Sequence, residues 1–163
     1  MIVIDIREEE VLKAKELRDI LDSNKSYNKI DCSNNYIGIL GELVFHRYLI
    51  EQGIPHTWVD FNKPNKGFNE PDFFIGNLSI DIKTTYSEVM WFQKPKHDIY
   101  IYIQVAKDNG VLRIYSWLTK NQLYDAINSN IVRKVLRDNR TDYIISPKDM
   151  SKIEIFMELI KEV

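Results

Sequence analysis

The chain has 163 residues, about the length of one ordinary domain and enough to bury a sizeable core. With 44% hydrophobic, 12% aromatic and 28% charged residues, its composition fits neither a disordered chain nor a low-complexity fibre. Lys and Arg number 22 against 24 Asp and Glu, a formal charge of -2, which excludes tight non-specific coating of nucleic acid, since that depends on neutralising many phosphates.

A single cysteine, Cys32, permits no intrachain disulfide and no Cys-rich metal site, in keeping with a reducing interior. No run approaches the roughly 20 apolar residues of a membrane span, and the opening stretch from Met1 to Glu10 turns acidic without a signal-peptide core. The expected location is therefore the cytoplasm, that of a host if the chain is viral, with no membrane partner.

In chain order, the alternation of Ile2, Ile4 and Ile6 predicts a short strand, and residues 7–21 an amphipathic helix with Val11, Leu12, Ile20 and Leu21 among its apolar positions. Residues 22–35 are polar and turn-rich. A second helix is expected over about residues 35–52, stopped by Gly53 and Pro55. A strand over 56–61 and a Pro/Gly/Asn loop over 62–69 follow. Ile75-Gly76-Asn77-Leu78 predicts a hairpin with a two-residue primed turn, and Asp108-Asn109-Gly110 a second hairpin between strands at 98–106 and 111–118. Between Thr84 and His97 there is room for a short helix at most. Thr119 and Gln122 form a capping box that opens a helix to about Ser129. After a short strand at 142–145, Ser146 and Pro147 are expected to start a terminal helix. With no repeat and no linker, the chain reads as one α/β domain over 1–163 with a mixed sheet. Its parts are a strand, helix and loop (1–34), a core (35–106), and a C-terminal hairpin strand with helices (107–163).

The first hairpin is a geometric device. With Gly76 and Asn77 as turn residues, Ile75 pairs with Leu78, Phe74 with Ser79, Phe73 with Ile80 and Asp72 with Asp81. One face is then apolar (Phe73, Ile75, Leu78, Ile80, Ile82), and the other gathers Glu70, Asp72, Asp81 and Lys83. Opposed carboxylates repel, so a positive group is expected between them. A hard divalent cation answers that need, because Mg²⁺ takes one or two carboxylates together with waters and substrate phosphate. Lys83, two residues past Asp81 and on its face, is placed to meet a phosphate or an attacking water. That is the chemistry of phosphodiester hydrolysis. Upstream, Tyr36 to Phe45 is apolar except at Glu42, a carboxylate costly to bury unless paired or metal-bound, and Gly41 beside it permits close backbone approach.

Glu42 in Gly-Glu-Leu-Val-Phe, then Pro71-Asp72, then Asp81-Ile82-Lys83 on a strand after a short hairpin, resembles the PD-(D/E)XK nuclease superfamily, the restriction-endonuclease-like fold. The matching residues span Ile37 to Thr85. The resemblance implies an αβββαβ-type core and cleavage of nucleic acid, usually DNA, with Mg²⁺ or Mn²⁺. It also implies Asp72, Asp81 and Glu42 as metal ligands and Lys83 as the residue that orients water and stabilises charge. Some members carry a glutamine on the next core strand, where Gln104 stands; it either enters the site or is an exposed strand residue. The short stretch after Lys83 departs from the family's usual helix.

Charge is uneven, with a net of -5 through Ile82 and +3 from Lys83 onward. Arg133, Arg137 and Arg140 would share one face of a helix over 131–140 and suit phosphates, although such a run also serves as an ordinary solvated face. Trp91, Lys94 and Lys96 combine stacking and charge just after the central strand, and Lys63 and Lys66 lie in the loop before it. The expected partner is DNA, with RNA left open. The small size suggests a structure-selective endonuclease, such as a Holliday-junction resolvase acting as a homodimer. The rival expectation is a catalytically inactive nucleic-acid-binding or assembly module with the same fold.

Overall fold

Alternating isoleucines form the first strand, β1 (Ile2–Asp5). Helix α1 (Glu8–Ser23) is opened by Glu10, whose carboxylate accepts the backbone N–H of Arg7 at 2.8 Å. Helix α2 (Tyr36–Glu51) ends where expected: Gly53 has φ 67°, and the N–H groups of Gly53 and Ile54 reach back to Ile50 and Leu49 at 2.9 Å each. This computed structural model describes residues 1–23, 36–59, 70–106, 110–137 and 140–161. Cys32, Lys63, Lys66 and the Asp108-Asn109 turn lie outside them.

The strands β2 (Thr57–Trp58), β3 (Phe73–Ile75) and β4 (Leu78–Thr85) follow. The β3–β4 register is Phe73↔Ile80, Phe74↔Ser79 and Ile75↔Leu78, as the sequence pattern requires. Gly76 at φ 55°, as the first central residue, makes the turn type II′. Next come β5 (Met90–Phe92), β6 (Ile99–Val105) and β7 (Val111–Thr119). Helix α3 (Lys120–Asn128) carries the expected capping box, with Gln122 N–H donating to Thr119 Oγ1 at 3.2 Å and Thr119 N–H to Gln122 Oε1 at 2.8 Å.

Three expectations need correction. The stretch between Thr84 and His97 contains the strand β5 rather than a helix. The basic run 131–140 is a hairpin, β8 (Arg133–Arg137) and β9 (Arg140–Ile145), because residues four apart share a face in a strand as they do in a helix, so the spacing was ambiguous. Finally, Ser146 and Pro147 start only a 3₁₀ turn (Pro147–Asp149), and β10 (Ser151–Lys152) intervenes before helix α4 (Ile153–Lys161).

Among the described residues, one mixed sheet runs β1-β7-β6-β4-β3-β2, with β10 also on β7, and a small sheet runs β5-β9-β8. Within the large sheet β4 and β6 are parallel and every other pair is antiparallel. β6 is covered on both faces, which explains its nearly unbroken apolar run. Ile101 and Ile103 join Ile80, Ile82 and the residues of α2 in one core; Tyr100 and Tyr102 join Met90, Phe92, Leu118 and Leu123 in the other. Each fully buried large side chain, Phe45 or Phe73 for example, contributes about 1.5–3 kcal/mol.

α2 lies unusually close to β4. A Cβ at Gly41 would sit 1.9 Å from Thr84 Oγ1, so the missing side chain is what admits the helix. Thr84 Oγ1 is buried there without a hydrogen-bond partner among the described residues.

Candidate active site

β4 alternates. Ile80, Ile82 and Thr84 face α2, so Asp81 and Lys83 point to the opposite face, where the parallel register sets them beside Tyr100 and Tyr102. Lys83 Nζ lies 2.5 Å from Asp81 Oδ2, with side-chain exposures of 34% and 11%. Asp72 stands one residue before β3, beyond the last paired position, and its Oδ2 accepts the Ile82 N–H at 2.7 Å, which holds the carboxylate against β4. Burial would lower the Lys83 pKa, but Asp81 first and then Asp72 outweigh it and hold the ammonium above its ordinary value. Lys83 is therefore a fixed cation at neutral pH.

This pair opens into a cavity of about 420 Å³ between the two sheets. Asp81, Lys83 and Tyr100 come from the large sheet, Trp91 and Phe92 from β5, and Asp142 from β9. The segment after β5 adds Lys94, Lys96 and His97. It is tied down by Tyr100, whose hydroxyl oxygen accepts the N–H groups of Lys96 at 2.7 Å and His97 at 3.1 Å. Asp98 secures the end of the same segment to β4 by accepting the N–H of Ser79 at 2.9 Å and its hydroxyl at 2.6 Å; those two bonds lower the Asp98 pKa. His97 is buried, and burial, partly opposed by Asp81 and reinforced by Lys83 and Lys96, lowers its pKa, so the imidazole is neutral at pH 7.

His97, Tyr100 and Asp142 were not singled out from the sequence as site residues. Asp142 reaches the cavity only through the pairing of β9 with β5, which no local pattern announces. The aromatic and basic cluster around Trp91 was the one usable signal for His97.

The other candidates lie elsewhere. Glu42 is buried on α2, beside the Gly41 that packs on Thr84 of β4, does not line the cavity, and accepts the Trp58 Nε1–H at 3.3 Å. Glu70 is exposed in a bend. Gln104 shares the site face of the sheet, but its Nε2 donates to the Ser87 carbonyl at 3.3 Å and it does not line the cavity. Arg133 is exposed on β8, and the register sets Arg137 opposite Arg140 at the hairpin end. Among the described residues no three His, Cys, Asp or Glu side chains form a group able to hold a metal ion. A cation would rest on the Asp72–Asp81 pair, where Asp81 Oδ2 is buried and accepts no aligned hydrogen bond.

Behind Glu42 a histidine pair braces Trp58. His56 Nδ1 lies 2.8 Å from the Ile54 carbonyl, an acceptor only, so it carries the proton, and His56 Nε2 then accepts from His46 Nδ1 at 2.7 Å. The His46 ring stacks on Trp58 at 4.9 Å. Burial first, and then the electrostatic effect of the neighbouring His56, lower the His46 pKa. The unfolded chain consequently takes up the proton first, so this contribution to stability is complete above about pH 6.5 and is lost as pH falls. Urea midpoints are expected to drop between pH 7.5 and 5.5, and His46→Phe should flatten that dependence while leaving the His97 part. An unchanged pH profile in His46→Phe would contradict this account.

No protein-family model, curated protein or solved structure matches this chain.

Proposed function

We propose that the protein is a metal-dependent nuclease of restriction-endonuclease-like fold that hydrolyses phosphodiester bonds of DNA, as an endonuclease selective for structure. The observation that carries this reading is the Asp81–Lys83 pair, 2.5 Å apart, with Asp72 held beside it and a lysine-edged cavity in front. A sheet shaped only for stability would not gather two carboxylates at adjoining strand positions. Asp72 and Asp81 are the oxygen donors that would hold Mg²⁺ or Mn²⁺, which supplies positive charge and Lewis acidity for in-line displacement at phosphorus. Lys83, permanently charged, orients the scissile phosphate and stabilises its developing charge rather than acting as a base. Glu42, buried on α2, accepts the Trp58 Nε1–H at 3.3 Å. A two-fold homodimer would present two such sites to the two strands of a duplex or junction.

The test is a cleavage panel of linear duplex, single strand, flap, four-way junction and RNA in Mg²⁺ and Mn²⁺. Metal-dependent cleavage of a DNA substrate, lost on chelation, is the expected result; folded protein that cuts none of them overturns the proposal.

One observation favours a second reading, a non-catalytic nucleic-acid-binding or assembly module. Asp81 already has a cation in Lys83, and no three-ligand group exists among the described residues. Calorimetric titration separates the two: Mg²⁺ or Mn²⁺ binding that disappears in Asp72→Ala supports the nuclease, and absence of binding supports the module.

A further inference from the structure

Apart from Asp142, the β8–β9 hairpin takes no part in the site described above, yet it is strongly basic. Residues 133–142 hold Arg133, Lys134, Arg137 and Arg140 against Asp138 and Asp142. Among the described residues β8 pairs with β9 alone, so its outer edge is open. β5 pairs with β9 only over residues 143–145, and residues 140–142 with their partners 135–137 run past its end as a two-stranded ribbon. At about 3.4 Å per residue that extension is roughly 10 Å long, close to the depth of about 8.5 Å of the major groove of B-DNA. A strand layer with its side chains is about 10 Å thick, which suits a major groove about 12 Å wide and is too thick for a minor groove of about 6 Å.

The side chains are distributed as such a fit requires. Arg133, Ile144 and Trp91 lie in one row across the small sheet, and Lys134, Tyr143 and Phe92 in the next, so Arg133 and Lys134 point to opposite faces. Both are exposed at the base of the ribbon and make no hydrogen bond or ion pair with the described residues. A groove has a row of phosphates along each wall, and a ribbon with a cation on each face meets both. Farther out, Leu136 is 75% exposed, a large apolar side chain held in water with nothing packed over it. Arg137 and Arg140, opposite each other at the hairpin end, are of the residue type that reads guanine in the major groove. The face that carries Arg133 is also the one from which Trp91 and Asp142 line the cavity, so the ribbon stands next to Asp81 and Lys83.

We propose that the β8–β9 hairpin enters the major groove of duplex DNA, with Arg133 and Lys134 at phosphates of the two walls and Leu136 and the hairpin end against base edges. It thereby holds the duplex beside the cavity. The proposal deepens the nuclease reading, rests on it for the cleavage step, and leaves Lys83 to the scissile phosphate.

The experiment measures equilibrium binding in EDTA, which prevents metal-dependent cleavage, by fluorescence anisotropy of a short labelled DNA duplex and of an RNA duplex of the same sequence. The major groove of RNA is too narrow for the ribbon, so DNA is expected to bind at least about 10-fold more tightly. Arg133→Ala and Lys134→Ala together should reduce the salt slope for DNA by about 1.8, near 0.9 per phosphate contact. Leu136→Glu, which brings a negative charge into the groove, should weaken DNA binding by about 10-fold or more. All three positions are exposed, and melting by circular dichroism verifies that the variants are folded. Methylation of guanine N7, in the major groove, should weaken binding, whereas a minor-groove ligand should leave it unchanged. Equal affinity for the two duplexes overturns the proposal, as does displacement by the minor-groove ligand. So does a folded double variant with the wild-type salt slope, or a folded Leu136→Glu with wild-type affinity. A protein that binds duplex DNA through the hairpin yet cuts nothing in Mg²⁺ keeps the ribbon and loses the nuclease. One whose hairpin variants bind and cut DNA as the wild type does keeps the nuclease and loses the ribbon.

Discussion

Lys83→Ala is expected to lower Mg²⁺-dependent cleavage by about 10²–10³-fold, the scale on which removing one preorganised charge-stabilising group acts. The geometry makes the effect specific. Lys83 Nζ is held at 2.5 Å by Asp81, and that contact fixes the ammonium at the mouth of the cavity instead of leaving it to sample solvent. The substitution has a second consequence, because it strips a nearly buried carboxylate of its neighbouring cation, and a charge left alone in that way is destabilising. Thermal melts should therefore show Lys83→Ala below the wild type, with added Mg²⁺ recovering more stability in the variant as the ion takes over the role of the ammonium. Asp81→Asn combined with Lys83→Met removes both charges and should regain stability without regaining activity. Single-turnover rates and melting temperatures on the same samples separate the two effects. A folded Lys83→Ala that cleaves at the wild-type rate would remove Lys83 from the reaction.

Gly41→Ala is expected to give the largest structural loss from a single methyl group. Its Cβ would lie 1.9 Å from Thr84 Oγ1 and 2.8 Å from both Thr84 Cβ and Cγ2, so α2 or β4 must move. Overpacking of this kind costs about 1–3 kcal/mol. For a chain of this size each kcal/mol lowers the melting temperature by about 2–4 °C. Because Glu42 follows Gly41, and Asp81 and Lys83 precede Thr84, the displacement should also reduce activity. Thr84→Ala in the Gly41→Ala background removes the two outer atoms but leaves the Cβ contact, so partial recovery of the melting temperature is expected. Full wild-type stability of Gly41→Ala alone would mean that helix and strand are not in the contact described.

The β3–β4 hairpin was legible from the sequence because everything that sets its register is local: Gly76 and Asn77 fix the turn, and the alternation of Phe73, Ile75, Leu78, Ile80 and Ile82 fixes the faces. The capping box at Thr119 and the glycine stop after α2 were readable for the same reason. What the sequence did not disclose was decided at long range. Asp142 enters the cavity because β9 pairs with β5, and both belong to a sheet whose existence no single segment reveals. The same pairing explains the basic run: a hairpin with Val135 half-buried and Leu136 exposed carries too weak an alternation to compete with a helical reading. Glu42 illustrates a subtler limit. Its burial was foreseeable from its apolar neighbours, but which face of β4 the helix would cover depended on the contact between Gly41 and Thr84.

β7 is bonded to β1, β6 and β10, so it ties the first residues of the chain to its last strand. During synthesis on the ribosome, β1 must wait for its partner until Val111–Thr119 has been translated. At about 5–20 residues per second that interval lasts on the order of 5–20 s. Throughout it the apolar α2 and then β6 are exposed without a complete sheet to cover them. The early acidic turn of α1 at Glu8, Glu9 and Glu10 keeps the growing chain charged during that wait. The separation of β1 from β7 delays closure of the large sheet, and with it completion of the floor beneath Asp81 and Lys83, until every strand between them has been made.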